Sequence, residues 1–503
     1  MRYSACLPVV LLCAFSAYAQ VPENNPAPDS KNAPYSNTPG AKKSKKKTRA
    51  DGKTDEVAPG ASVVSPEDAA PGVTAQPATP EYAGPGTLGR NFSIAPANTK
   101  SIRFRPYVGA SAILSSGLTG GQLNPDGSIA NVRSYGVEGD FGISGVKVRA
   151  KDEFSLDYHG NFYHYAPQSH YDGSNNVLSF FYTRQLRPHT LLRFDDSAAL
   201  YSNNFGVATT AATTDISIGN TSSLVTPSSQ ILDNRTIYAS TAVDLVQTLS
   251  SRLTVDLGGS AFIVRRKSSS LYGSIGEQAR GDIEYRVTRR STLGVYYGFT
   301  HYEYSKAFGG SNINTLGLSY SAGITRNLEV RVRGGASRIQ SLGLAQVALD
   351  PLVALLVGHR TGEVAFNRVN IIPDVSAQVV RRFNHATAGA EASLSVSPGN
   401  GLVLTSKRTF YNAHLDYTGL RTYSITMGAT REQLAGVGNS FGTFASNGAN
   451  FGVSREIKHG LQANFRSEYR HYNITSVSGF ARNQYKLALG LTYSPGERPL
   501  SIW

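Results

Sequence analysis

From residue 101 to about residue 495 the chain alternates between apolar and polar side chains. On the run that starts at Leu461, residues Leu461, Ala463, Phe465 and Tyr469 fall in one phase, and Gln462, Asn464, Arg466, Glu468 and Arg470 in the other. Leu328, Val330 and Val332 oppose Glu329, Arg331 and Arg333, while Ile283, Tyr285 and Val287 oppose Asp282, Glu284 and Arg286. Phe154, Leu156, Tyr158 and Phe162 alternate likewise with Ser155, Asp157, His159 and Asn161. Near the end, Tyr485, Leu487, Leu489, Leu491 and Tyr493 alternate with Lys486, Ala488, Gly490 and Thr492. Successive side chains of a strand point to opposite faces, so each run predicts a strand with one apolar and one wet face. A soluble sandwich alternates too, but with shorter strands and an apolar face turned to a core.

Tight polar turns separate the runs, near Lys151, Arg187, Ser250, Arg289, Arg326, Phe383, Gly419 and Lys458. The steps between them are 36, 63, 39, 37, 57, 36 and 39 residues. Two membrane-crossing strands, a turn and a modest loop fill the shorter step. Leu186-Arg187-Pro188-His189 and Lys458-His459-Gly460 carry the residues that tight turns require. Eight turns join sixteen strands, one more precedes them at 102–113, and one follows at 483–494. The predicted fold is all-β: a closed antiparallel transmembrane β-barrel of about 18 strands (16–18), over residues 101–503, with both ends on the turn side.

Composition adds a leader and a linker. Residues 1–19 read as a secretory signal: Arg2, an apolar stretch over 6–17, then Ala17-Tyr18-Ala19. Both cysteines, Cys6 and Cys13, lie in it, so no disulfide framework is expected beyond it. After the leader no run of 18 apolar residues occurs, which leaves strands as the means of crossing a bilayer. Residues 20–100 hold 12 of the 23 prolines and no periodicity, and predict a disordered periplasmic linker. The formal charge is +14; residues 21–100 contribute ten basic against eight acidic side chains, so most of the excess lies in the barrel region. In an exported alternating chain such a charge points to anionic lipid or solute, not to nucleic acid. The basic run at 42–49 is either a solvated tail or a tether to peptidoglycan.

Charge on the lipid face costs several kcal/mol near the midplane, so the phase of the charges assigns them to the interior. Arg331, Arg333, Arg466, Glu468, Arg470, Arg286 and Glu284 are the candidate lumen and selectivity residues. The long steps predict two long loops, at 203–232 and 343–366. The second holds the apolar run LAQVALDPLVALLVG (344–358), broken by Asp350-Pro351. Leu344, Asp350, Pro351, His359 and Arg360 are the constriction candidates; the segment would cover the lumen mouth, the rim or a partner subunit. Tyrosines near the loop-side strand ends, Tyr158, Tyr163, Tyr165, Tyr296, Tyr297, Tyr302, Tyr304, Tyr469 and Tyr472, suit an interfacial girdle, with solute stacking as the alternative. His159, His164, His301 and His471 are scattered over several hairpins and do not form a metal pattern. The chain contains no Walker A loop, HExxH, or GxSxG with its strand-turn-helix context, so no enzyme activity, cofactor or metal is assigned.

The closing segment, Leu489-Gly490-Leu491-Thr492-Tyr493-Ser494-Pro495 and on to Trp503, resembles the terminus of porin-like outer-membrane β-barrel proteins common in Acidobacteria. Gly490 and Tyr493 fit the strand part of that ending, while the chain runs on past Pro495. The resemblance implies assembly by the barrel insertion machinery and a place in the outer membrane, in contact with its lipid and lipopolysaccharide, with a homo-oligomer as an open alternative. The expected function is a channel for passive diffusion of small hydrophilic solutes with a weak anion preference. A non-conducting surface or envelope-tethering barrel is the second reading, and an enzyme built into the barrel wall the third.

Overall fold

A computed structural model describes residues 102–123, 129–166, 172–201, 236–267, 271–305, 309–348, 361–401, 403–417, 419–420, 422–437, 442–458, 460–475, 481–496 and 498–500. The leader, the linker with its basic run, and the loop expected at 203–232 lie outside these residues.

The wall is one antiparallel sheet. Its first strands are β1 (Ile102–Leu123), β2 (Ile129–Val148), β3 (Asp152–Tyr165), β4 (Gly173–Arg187), β5 (Thr190–Tyr201) and β6 (Thr236–Thr248). Then come β7 (Leu253–Arg266), β8 (Gly273–Thr288), β9 (Ser291–Ser305), β10 (Gly310–Thr325), β11 (Leu328–Ala348) and β12 (Thr361–Arg382). The last are β13 (Ala386–Ser397), β14 (Ser406–Tyr417), β15 (Tyr423–Gly436), β16 (Thr443–Lys458), β17 (Leu461–Ile474), β18 (Arg482–Tyr493) and the short β19 (Arg498–Leu500). Each of the eight expected turns falls between consecutive strands, from β2 and β3 at Lys151 to β16 and β17 at Lys458.

Every strand pairs with its sequence neighbours, and β1 also pairs with β18, from Val108 opposite Tyr493 to Ser116 opposite Tyr485. The eighteen long strands therefore close on themselves. Hydrocarbon offers no partner to a free N–H or C=O, so closure is the condition under which strands can sit in a bilayer. The seam is extended by β19, whose Arg498 and Leu500 face Phe104 and Ile102 on β1.

The two phases separate as the alternation demands. Leu489 and Leu491 on β18 point outward, Leu489 64% exposed, while Gln484, Lys486, Ala488 and Thr492 are buried inside. On β2 the outward column reads Arg133, Tyr135, Val137, Gly139, Phe141, Ile143, Gly145, Lys147. Charges mark its two ends, and the apolar stretch between them matches the roughly 9–11 residues of a strand crossing a bilayer. A closed wall with this belt is an integral outer-membrane β-barrel.

One expectation changes. Half of the region 343–366 is strand, because β11 and β12 continue their ladder without a break from Leu328–Arg381 to Ala348–Thr361, while 349–360 lie outside the described residues. Pairing with β10 ends at Leu342, and pairing with β13 begins only at Val375. Beyond Leu342 and Asn367 the hairpin thus runs on as a two-stranded ribbon, and just before it Ile371 is 74% exposed on β12, where no β13 residue pairs. The 57-residue step between turns comes from this length of strand. Pro373, which has no N–H to donate, stands where the ladder with β13 stops.

Leu489→Arg places a charge at the centre of the lipid-facing column and should cost about 2–4 kcal/mol, read from urea titration of the folded fraction by gel mobility. Thr492→Ser, on the inward face, should cost under about 1 kcal/mol. Equal costs would reverse the assignment of faces.

Candidate functional site

The lumen is tiered. Along β11, Arg331 and Arg333 come before Ile339; along β17, Arg466, Glu468 and Arg470 come before Tyr472 and Ile474. On these two strands the charged side chains stand toward the turn side and the apolar and aromatic ones toward the loop side, while Arg408, Glu432 and Arg482 carry charge inward at the loop-side end.

Two charge arrays stand on opposite walls, since β1 and β10 are half a ring apart in the strand order. In the array on β17, β18 and β2, Lys486 Nζ lies 2.9 Å from Glu138 Oε2. Arg466 Nη2 lies 3.4 Å from Glu138 Oε1 and 3.5 Å from Asp140 Oδ2. Asn161 Nδ2 donates to Glu138 Oε1 at 2.6 Å. Glu468 and Arg470 follow Arg466 on the same inward column, both buried. On the facing wall, Arg333 Nη2 donates to Asp282 Oδ1 at 2.8 Å, and its guanidinium sits 4.5 Å from the centre of the Tyr296 ring. The Tyr296 hydroxyl donates to Asp374 Oδ2 at 2.7 Å. Arg331 is buried beside this group on β11, and Glu284 and Arg286 share the inward column of Asp282 on β8. Arg280 donates to Asp244 at 2.5 Å, and Arg408 Nε to Glu432 at 2.7 Å.

All seven predicted lumen residues thus point inward, in two separate groups. The acidic partners Glu138, Asp140, Asp244 and Asp374 are additions from the structure. Closure brings Glu138 on β2 to Lys486 on β18, a relation that exists only once the ring is formed. Burying a lone charge costs several kcal/mol, which is the physical reason these cations are met by carboxylates.

The loop-side tier holds three apolar clusters. Phe262, Val264, Tyr302, Ile313, Ile339, Ile372 and Val396 form the largest. Ile113, Tyr163, Tyr165 and Ala488 form the second. The girdle expectation is corrected in part: Tyr297 and Tyr469 face out, but Tyr163, Tyr165, Tyr296, Tyr302 and Tyr472 are buried inside, Tyr302 only 1% exposed. The period of two sends alternate residues of each aromatic stretch to opposite faces, so Phe162, His164, Tyr297 and His301 face out while their neighbours face in.

The third cluster is built around a loop. Of the described residues that join β13 to β14 on the loop side, 398–401, Val403 and Thr405 are buried rather than exposed. Val403 packs on Leu434, Phe444, Tyr472 and Ile474. Thr405 Oγ1 shares hydrogen bonds with Tyr304 Oη at 2.7 Å and Ser311 Oγ at 2.5 Å. The Tyr272 amide donates to the Gly401 carbonyl at 3.0 Å. The loop therefore reaches β15–β17 on one side and β9 and β10 on the other, and crosses part of the loop-side lumen. Its turn is closed by Asn400, whose Oδ1 accepts from the Val403 amide at 2.9 Å. Gly399 and Gly401 have φ of 81° and 88°, which side-chain-bearing residues adopt only with strain. A Cβ on Gly399 would also stand 1.8 Å from the Val403 carbonyl oxygen.

This loop occupies the place expected for 344–358. Leu344 is in the β11–β12 ribbon, paired with Ala365, and Asp350, Pro351, His359 and Arg360 lie outside the described residues. A hint was present in the sequence: Pro398-Gly399-Asn400-Gly401 is a turn signal, followed by the apolar Leu402-Val403-Leu404.

No protein-family model matches the chain, and no curated protein matches it. Among solved structures, Pseudomonas aeruginosa OpdQ aligns at 11% identity over 80% of this chain and 98% of its own, with a TM-score of 0.37. Pseudomonas aeruginosa OccK2 (OpdF) in complex with glucuronate aligns at 12% identity over 78% and 98%, with a TM-score of 0.38. The FrpB iron transporter from Neisseria meningitidis aligns at 10% identity over 74% and 64%, with a TM-score of 0.37. Likeness at this level decides nothing about the solute of this chain.

Glu138→Leu leaves Lys486 and Arg466 facing an apolar group and should cost about 3–5 kcal/mol, by urea unfolding in detergent micelles. The double variant Glu138→Leu/Lys486→Met removes both partners of the closest pair and should be the more stable of the two. A double variant no better than the single one would mean that the pairing is not what holds these charges inside.

Proposed function

We propose that this outer-membrane barrel is a porin-like channel for small hydrophilic solutes, narrowed at its loop-side end by residues 398–405. The observation that supports the reading is the pairing of an interior lined by charged side chains with a loop folded into it. The inward pairs brace the wall, and rings of such charges are also a means by which pores bias ion passage. The terminal likeness to barrels of Acidobacteria belongs to the same reading. The finer part is a weak anion preference. The lumen cations are largely met by carboxylates, so the bias is small and follows whichever partner of a pair is removed.

A specific observation favours the second reading, a non-conducting barrel. Lys486 is 5% exposed and Glu138 1%, which leaves little open lumen beside them. Planar-bilayer recording separates the two. The refolded protein should show small discrete conductance steps, and deletion of residues 399–404 should raise them severalfold. Two silent forms would leave the surface-protein reading in place.

Under a salt gradient, Asp282→Asn frees Arg333 from its carboxylate and should move the reversal potential toward anion selectivity. Arg333→Gln should move it the other way. Unchanged reversal potentials in both would place this wall outside the conducting path.

A further inference from the structure

The outer face stays apolar down to the turns. Leu186, Val287, Ile324 and Ile457 end the outward columns of β4, β8, β10 and β16, and all are 48–57% exposed. One such side chain in water is ordinary, but a ring of them at one height marks a surface that water does not cover. The acyl boundary therefore reaches to within a residue or two of the turns. Whatever stands beside these side chains stands at headgroup level.

Cations stand at that level in the same outward phase. Lys147 on β2, Arg381 on β12 and Arg455 on β16 each lie within three residues of the strand's turn-side end. The Arg381 guanidinium sits 4.7 Å from the centre of the Phe383 ring, and that of Arg455 5.2 Å from the Tyr423 ring. Stacking fixes the height of each group and leaves its charge in place. Around them, seven of the eight turns carry an exposed arginine or lysine in or next to the turn, and none of the described residues there is an exposed carboxylate. Asp152 lies 3.5 Å from Arg184, and Glu329 4.0 Å from Arg382, so these half-buried carboxylates are engaged by other cations. The loop-side rim is mixed by contrast, with Glu277 and Glu303 exposed in outward columns.

We propose that the turn-side rim is a binding surface for anionic phospholipid in the leaflet that the turns enter, with Lys147, Arg381 and Arg455 on the headgroup phosphates. A cation at the edge of an apolar belt attracts an anionic headgroup over a neutral one, within the screening length of the medium. The outward phase excludes the two other uses of such charge. Side chains that point away from the lumen do not steer a solute into it. Side chains flanked by exposed Ile457 and Phe383 meet lipid before they meet a polymer beyond the turns. The surface is separate from the lumen, and its failure would leave the channel reading untouched.

Electron spin resonance of lipid probes tests it on the full refolded chain in phosphatidylcholine vesicles. At low salt, spin-labelled phosphatidylglycerol should enter the motion-restricted shell of the barrel severalfold more readily than spin-labelled phosphatidylcholine. Salt at about 1 M should remove most of that preference. The triple variant Lys147→Gln/Arg381→Gln/Arg455→Gln should lose most of it at low salt while keeping the heat-modifiable mobility of a folded barrel. The basic run at 42–49 is present in both proteins, so the difference between them belongs to the rim. An unchanged preference in the triple variant overturns the assignment of these residues. Equal uptake of both probes by the wild type overturns the lipid, and salt-sensitive binding of isolated peptidoglycan through the same three residues would put that polymer in its place. If the triple variant does not fold, Arg381→Gln decides against Arg381→Lys: the first should lower the preference and the second keep it, and equal values overturn the proposal.

Discussion

Everything else in this barrel depends on the pairing of β1 with β18. A bilayer core gives a strand no water to bond, so a sheet with two free edges could not stay there. Nine paired positions, Val108 to Ser116, turn eighteen strands into a ring. Closure then gives meaning to the period of two. Once the sheet has an inside, each residue either faces lipid or faces the lumen, and a slip of one residue exchanges the two sets. The seam is reinforced at its loop-side end, where the carbonyl of Gly117 on β1 accepts from Arg482 and Gln484 of β18.

The charged interior follows from the same constraint. A residue in the inward phase can be charged because it is not in hydrocarbon, yet a narrow lumen is not bulk water. The observed solution is cross-strand pairing over two or three strands: Arg333 on β11 with Asp282 on β8, Tyr296 on β9 with Asp374 on β12, Arg466 on β17 with Asp140 on β2. Each pair braces strands three apart, and the arginine–carboxylate pairs neutralise themselves, so the interior can hold many charges with a reduced net field. The basic excess of the chain is therefore a poor guide to selectivity.

The wall was legible in the sequence and the lumen filling was not. Turn chemistry is local, so Lys151, Arg326 and Lys458 announce hairpins from a few residues each. Phase is local too, which is why Arg331, Arg466 and Glu468 were assignable to the interior before any contact was known. Which way a loop folds is not local. Residues 398–405 have the composition of an ordinary connection, and they turn inward because Thr405 finds Tyr304 and Ser311, about a hundred residues away. The apolar run at 344–358 was the louder signal, yet its first residues are held in the β11–β12 ladder. Tyrosine gave a similar lesson: its enrichment near the loop-side ends is visible in composition, but the alternation divides the rings between lipid and lumen.

The position of the in-folded loop sets the kind of gate it can be. It lies in the apolar tier, so displacing it would expose Val403, Leu434, Phe444, Tyr472 and Ile474 to water, whereas the charged tier below is already polar. Exposing one buried aliphatic side chain costs about 1.5–3 kcal/mol, and a few exchangeable hydroxyl bonds at Thr405 add little beyond that. Five such side chains together put a displaced loop well beyond the few kcal/mol at which a minor state holds roughly 0.1–10% of molecules. On the channel reading, the loop is then a fixed constriction held by hydrophobic burial, not a gate that swings away.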